Sequence, residues 1–137
     1  MNMKDERQFV GYSKYRSRLV DGHVHTELCP HGSGDRTALM IEKAIELRIE
    51  KVCLTEHAPL PKAFAVEYGG DQKAYDTASL KLNQVDTYLE LGRQLQRAYG
   101  THIDISLGFE VDYIPGFETD IQEFLDRYGP LTDDNIL

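Results

Sequence analysis

Three times along this chain a short apolar or alternating run gives way to a stretch whose apolar positions recur at helical period. The first run rises from Arg18 through Asp21, Gly22 and His23 to His25 and suits a strand; Pro30, Gly32 and Gly34 then mark a loop. The second, Lys51 to Thr55, reads as a short buried strand ending at Glu56-His57-Ala58-Pro59, and the third, Ile103 to Val111, alternates. A helix is expected after each. The first is capped by Asp35 and carries a stripe of Leu39, Met40, Ala44, Ile45 and Leu47. The second runs from about Ser79 to Tyr99, buries Leu82, Val85, Leu89, Leu91 or Gly92, and Leu95, and has Gly100 just past its end. The third runs from about Phe117 to Arg127, with Ile121, Phe124 and Leu125 inward and Gly129 after it. Repetition of strand then helix is the order that builds a parallel sheet with right-handed crossovers, so the fold class is α/β with about three βα units. Residues 60–78, with two prolines and two adjacent glycines, form a connection too long for a bare turn and a candidate lid or substrate loop. Residues 1–17 are polar and show neither period, which marks them as a lead-in.

At 137 residues one domain is the ceiling. A formal charge of -8 repels a phosphate backbone, so binding driven by nucleic-acid electrostatics is excluded and an anionic substrate must be met by local positive charge such as a metal. Cys29 and Cys53 do not make a disulfide framework, and the charged N-terminal residues do not read as a signal peptide. No apolar stretch approaches the roughly 20 residues that span a bilayer. A cytoplasmic chain with no membrane role is the expectation.

Side chains two apart on a strand share a face about 6.6 Å apart, so His23 and His25 can present two imidazoles to one ion. Alone, that pair could equally be two hydrogen-bonded, partly buried histidines. His31 follows in a Gly/Pro loop able to fold back over the strand end, His57 ends the second strand, and Glu110 lies near the end of the third. In parallel α/β architectures the active site lies at the C-terminal ends of the strands, so three strands deliver ligand-type residues to one rim. His102, at the opposite end of the third strand, is set aside as a surface residue. Glu56 should face away from His57, toward the helices; an active-site role and a hydrogen-bonded structural role stay open. Glu27 and Asp35 could orient imidazoles, with a helix cap the preferred reading of Asp35. Cys29 reads as a bystander thiol, and Asp112 as either a site residue or a strand-end turn residue.

At these residues a resemblance becomes specific. Asp21-Gly22-His23-Val24-His25-Thr26, then His31, then Thr55-Glu56-His57-Ala58-Pro59, then Gly108-Phe109-Glu110-Val111-Asp112-Tyr113 resemble the first three metal-binding motifs of the PHP superfamily, most closely its histidinol-phosphatases. The resemblance covers residues 18–137 and implies the N-terminal part of a metal-dependent phosphoesterase domain, truncated. It further implies a partial (βα) barrel of the distorted TIM-like PHP type and up to three divalent metals, zinc, manganese or iron. His23 and His25 would bind one metal, Glu110 would bridge it to a second, and His31 with His57 would serve a third; His23, His25, His57 and Glu110 would be catalytic. The family's later histidines and its late Asp-X-His pair have no counterpart here. The implied activity is that of a phosphomonoesterase converting L-histidinol phosphate, a small phosphorylated substrate, to L-histidinol and phosphate in histidine biosynthesis. The alternatives are a non-catalytic metal-binding or assembly fragment and a different metal hydrolase. Three parallel strands covered on one face leave an edge and a face open, so self-association is expected.

Overall fold

The computed structural model describes residues 18–64 and 72–137; the lead-in over residues 1–17 and the middle of the long connection, residues 65–71, lie outside the described residues. Three strands pair in parallel in the order β1 (Val20–Val24), β2 (Lys51–His57) and β3 (Asp104–Glu110). Helix α1 (Thr37–Glu46) joins the first two. Between β2 and β3 lie a helical turn α2 (Lys62–Phe64), α3 (Gln72–Ala78), a 3-10 turn at Leu82–Gln84 and the long α4 (Val85–Tyr99). α5 (Glu118–Tyr128) follows β3 and runs into a 3-10 turn at Gly129–Leu131. This is the α/β architecture expected, an open arc of βα units, with two short helices inside what the sequence suggested was a loop.

The central strand explains the packing. Val52 and Leu54 of β2, with Ile105, Leu107 and Phe109 of β3, meet Ile41 and Ala44 of α1, Val85, Tyr88, Leu89 and Leu95 of α4, and Ile121 and Tyr128 of α5 in one apolar core. Burying each large side chain contributes about 1.5–3 kcal/mol. α4 comes close to the sheet because residue 92 is glycine: a Cβ there would lie 2.3 Å from Leu107 Cδ1. Among the described residues no helix is long and apolar enough to cross a membrane.

The helix phases differ from expectation in instructive ways. α1 starts at Thr37 and buries Thr37, Ile41 and Ala44, one face at i, i+4 and i+7, while Leu39 and Leu47 are exposed. Asp35 does not cap it. The Arg36 N-cap position has no side-chain bond, and Glu27 reaches over from the preceding loop to accept the Thr37 amide at 2.7 Å and the Thr37 hydroxyl. A carboxylate is favoured there by the unpaired amides of the helix start. α1 closes with Arg48 at φ 60°, while Ile49 N–H donates to Ala44 O and Arg48 N–H to Ile45 O, both at 3.0 Å. In α4, Leu82 precedes the helix and is exposed, whereas Tyr88, absent from the expected face, is fully buried. Gly100 and Gly129 do follow their helices, in right-handed rather than left-handed conformation.

One sheet edge is partly covered. Beyond the Gly129–Leu131 turn, residues 133–136 lie along the free edge of β3. Asp133 N–H donates to Leu107 O at 2.7 Å, Ile136 N–H to Phe109 O at 2.9 Å, and Val111 N–H to Ile136 O at 2.8 Å. Where main-chain acceptors are missing, Asp133 Oδ2 takes the Leu107 amide at 3.0 Å and Asn135 Oδ1 the Phe109 amide at 2.9 Å. The approach is so close that only glycine fits at residue 108. The β1 edge has no described strand beside it, and Leu19 and Val20 are about half exposed there.

Candidate metal centre

The parallel register places His57 opposite Glu110 at the C-terminal ends of β2 and β3. In β1 the two residues between Asp21 and Val24 stand against the single Cys53 between Val52 and Leu54 of β2, so the strand bulges at Gly22 and His23. His23 sits in that bulge and His25 just past the strand end. His31 folds back from the following loop, its Nδ1 2.7 Å from the Thr77 carbonyl of α3. All five residues singled out in the sequence therefore meet on one rim.

Their geometry centres on one oxygen. Glu110 Oε2 lies 3.0 Å from His23 Nε2, 3.2 Å from His57 Nδ1 and 3.4 Å from His25 Nε2. His23 Nε2 and His25 Nε2 are 3.1 Å apart, and so are His57 Nε2 and His31 Nε2. The His25 and His57 rings stack with centroids 4.3 Å apart. Burial, and then the neighbouring His25, push the His57 imidazole below its usual pKa despite the opposing pull of Glu110, which favours the neutral form with a free lone pair.

This donor set suits a divalent cation. Two nitrogen lone pairs facing each other at 3.1 Å repel unless a proton or a cation lies between them. Ligands about 2.05 Å from a tetrahedral zinc ion stand about 3.3 Å from one another, so the separations within the cluster match a shared ion without rearrangement. His23, His25 and Glu110 form one such trio, and imidazole with carboxylate serves zinc, manganese and iron alike.

The neighbouring candidates separate clearly. Glu56 turns away from the rim, as its strand position requires, and is fully buried; it accepts hydrogen bonds from His25 Nδ1 at 3.0 Å, from the Thr26 amide at 2.9 Å and from the Thr26 hydroxyl at 2.6 Å. Cys29 is closer to the cluster than a bystander: its sulfur, with ligand atoms of His25 and His57, forms a trio within 4.8 Å. Burial, with the charge of Glu56, pushes its thiol up. The turn that closes from Cys29 N–H to Thr26 O at 3.0 Å brings it there. Glu27 holds the α1 terminus rather than an imidazole, and His102 is exposed at the far end of β3. Asp112 is exposed and lines a cavity of about 400 Å³ with Pro59, Lys62, Phe124 and Arg127, which none of the five cluster residues lines.

An arc of parallel βα units thus gathers histidines and a glutamate at its strand ends, a donor set able to hold a metal ion. The family model of the PHP domain matches residues 21–133, and the chain belongs to that family. It is 39% identical over 117 residues to the histidinol-phosphatase of Bacillus subtilis (85% of this chain, 42% of that protein). It is 26% identical over 110 residues to a protein named probable histidinol-phosphatase in Deinococcus radiodurans (80% of this chain, 38% of that protein). The crystal structure of a provisionally assigned histidinol phosphatase from Listeria monocytogenes superposes with a TM-score of 0.81 at 41% identity, covering 85% of this chain and 43% of the other. The open sheet is thus part of an α/β barrel, and the chain spans about two fifths of the length of the curated relatives it matches.

Proposed function

We propose that this chain carries part of the catalytic centre of a metal-dependent phosphomonoesterase whose substrate is L-histidinol phosphate, released as L-histidinol and phosphate in histidine biosynthesis. The observation that carries the reading is the single oxygen of Glu110 within 3.0–3.4 Å of three imidazoles drawn from two other strands. His23, His25 and Glu110 would hold one cation, with Glu110 shared toward a second, and His31 with His57 would hold a third. Bound divalent cations would supply Lewis acidity, lowering the pKa of water and offsetting phosphoryl charge. The chain's own contribution is to fix the donors. The β1 bulge presents His23, the Thr77 carbonyl fixes His31 through its other ring nitrogen, and the parallel register keeps Glu110 beside His57. With a net charge of -8 the surface favours no anion, so recognition of a phosphate falls to the cations. A cytoplasmic location belongs to the same proposal, as does self-association through the β1 edge, which has no strand beside it among the described residues.

A second reading, a metal-binding fragment without turnover, is favoured by the share of the relatives' length that the chain spans. Elemental analysis, paired with phosphate release from histidinol phosphate by the chain and by its Glu110→Gln form, separates the two. Metal with Glu110-dependent turnover supports the phosphatase; metal without turnover supports the second reading; no metal in the unaltered chain defeats both.

A further inference from the structure

Glu56 immediately precedes His57, yet its side chain lies on the opposite face of β2 at 0% exposure. An ionised carboxylate so placed costs several kcal/mol unless its oxygens are fully met. They are. Oε1 faces His25 Nδ1 at 3.0 Å and the His57 amide at 3.2 Å, and Oε2 receives the Thr26 amide at 2.9 Å and the Thr26 hydroxyl at 2.6 Å. Behind it the Tyr88 hydroxyl donates to Gly108 O at 2.6 Å and lies 3.3 Å from the Glu56 amide, which donates to it. Both oxygens already accept from the Thr26 and His57 donors, so the carboxylate is an acceptor on every side and the His25 nitrogen that faces it, Nδ1, is the one that carries the proton. In neutral imidazole that leaves the lone pair on Nε2, the atom 3.1 Å from His23 Nε2 and 3.4 Å from Glu110 Oε2.

We propose that Glu56 is a positioning residue of the cation centre: its buried carboxylate selects the Nδ1–H tautomer of His25 and holds the ring with Nε2 aimed at His23 and Glu110. The inference rests on the metal-centre reading above. A carboxylate behind a metal-binding histidine fixes ring orientation and raises ligand basicity, and losing such a partner typically costs 10- to 100-fold in metal affinity. The placement also explains why Glu56 and His57 are adjacent: alternation along β2 puts one residue on the rim and the next behind a ligand from β1, so one strand end serves two imidazoles.

Glutamine at residue 56 keeps the shape but not the polarity. Its amide NH2 must face either His25 Nδ1, which drives the proton to Nε2 and removes the lone pair from the centre, or the two Thr26 donors, which it cannot satisfy. The test uses the whole chain. Two-bond 1H–15N correlation spectra of the metal-free protein near pH 8, where ordinary imidazoles are neutral, read the His25 tautomer, and calorimetric titration with Co(II) reads affinity. The unaltered chain is expected to show Nδ1–H at His25, and Glu56→Gln to gain Nε2–H and bind Co(II) 10- to 100-fold more weakly. Thr26→Val, which leaves Glu56 in place, should lose stability but keep the tautomer and most of the affinity. An Nε2–H tautomer in the unaltered chain overturns the inference without need of any variant, and so does Thr26→Val weakening Co(II) as much as Glu56→Gln, since the role would then be merely structural. Absence of Co(II) binding by the unaltered chain instead sinks the metal-centre reading, and with it the role given to Glu56.

Discussion

Replacing Gly108 with alanine puts the covering of the β3 edge to a sharp test. The added Cβ would lie 1.4 Å from the Asp134 carbonyl oxygen and 2.6 Å from its carbon. Those are backbone atoms and cannot rotate aside, so residues 133–136 must lift away. Six hydrogen bonds go with them: four between main chains and the two accepted by Asp133 and Asn135 side chains. Each is worth about 0.5–1.5 kcal/mol, and because the freed groups regain water at an edge the lower part of the range applies, or about 3 kcal/mol in all. For a chain of this size that lowers Tm by about 10 °C. Thermal denaturation gives the magnitude and amide hydrogen exchange gives the location. The amides of Leu107, Phe109 and Val111, which face the segment, should lose protection, while those of the alternate residues, which face β2, keep it. A Tm unchanged within about 1 °C, with all three amides still protected, would refute the reasoning.

Other consequences are equally open to measurement. Arg48 holds φ 60° at the close of α1, so Arg48→Gly should stabilise the fold by about 0.5–1 kcal/mol, seen as a higher denaturation midpoint with unchanged slope. Partial burial raises the Glu27 carboxyl, but bonds from the Thr37 hydroxyl and amide outweigh it and hold the pKa below its ordinary 4.5. A depressed folded-state value means stability that is present above pH 4.5 and is lost as pH falls through that lower value; Glu27→Gln should be less stable at neutral pH and lack this acid loss. Burial pushes both the Cys29 and Cys53 thiols up, so iodoacetamide at neutral pH should alkylate the native chain far more slowly than the urea-unfolded one, and equal rates would contradict the placement of both.

The strands and the five ligand-type residues were legible in the sequence because both depend on short-range pattern. Period-2 and continuous apolar runs locate strands, and a parallel α/β order sends His25, His57 and Glu110 to one rim without knowledge of any contact. What escaped depends on distance in the chain. Asp35 has the composition of a cap, but Glu27, ten residues before Thr37, takes the role through space. Leu39 and Leu47 fit a helical stripe as well as Ile41 does, and which stripe turns inward is decided by the sheet it packs on rather than by the helix itself. Cys29 reads as a bystander and the role of Glu56 stays open because their neighbours lie on other elements. Nothing local in the Asp133-Asp134-Asn135 run reveals that its side chains will stand in for a strand's carbonyls.

His23 and Glu110 are 87 residues apart in sequence and 3.0 Å apart in space. An ion held between them would therefore be a cross-link as well as a reagent, closing a loop over most of the chain. Unfolding would have to release it, and free cation at a thousand times its dissociation constant would add about 4.1 kcal/mol to the folded state. The melting temperature of such a chain would then report the cation activity of its surroundings, and a chelator would act on it as a denaturant.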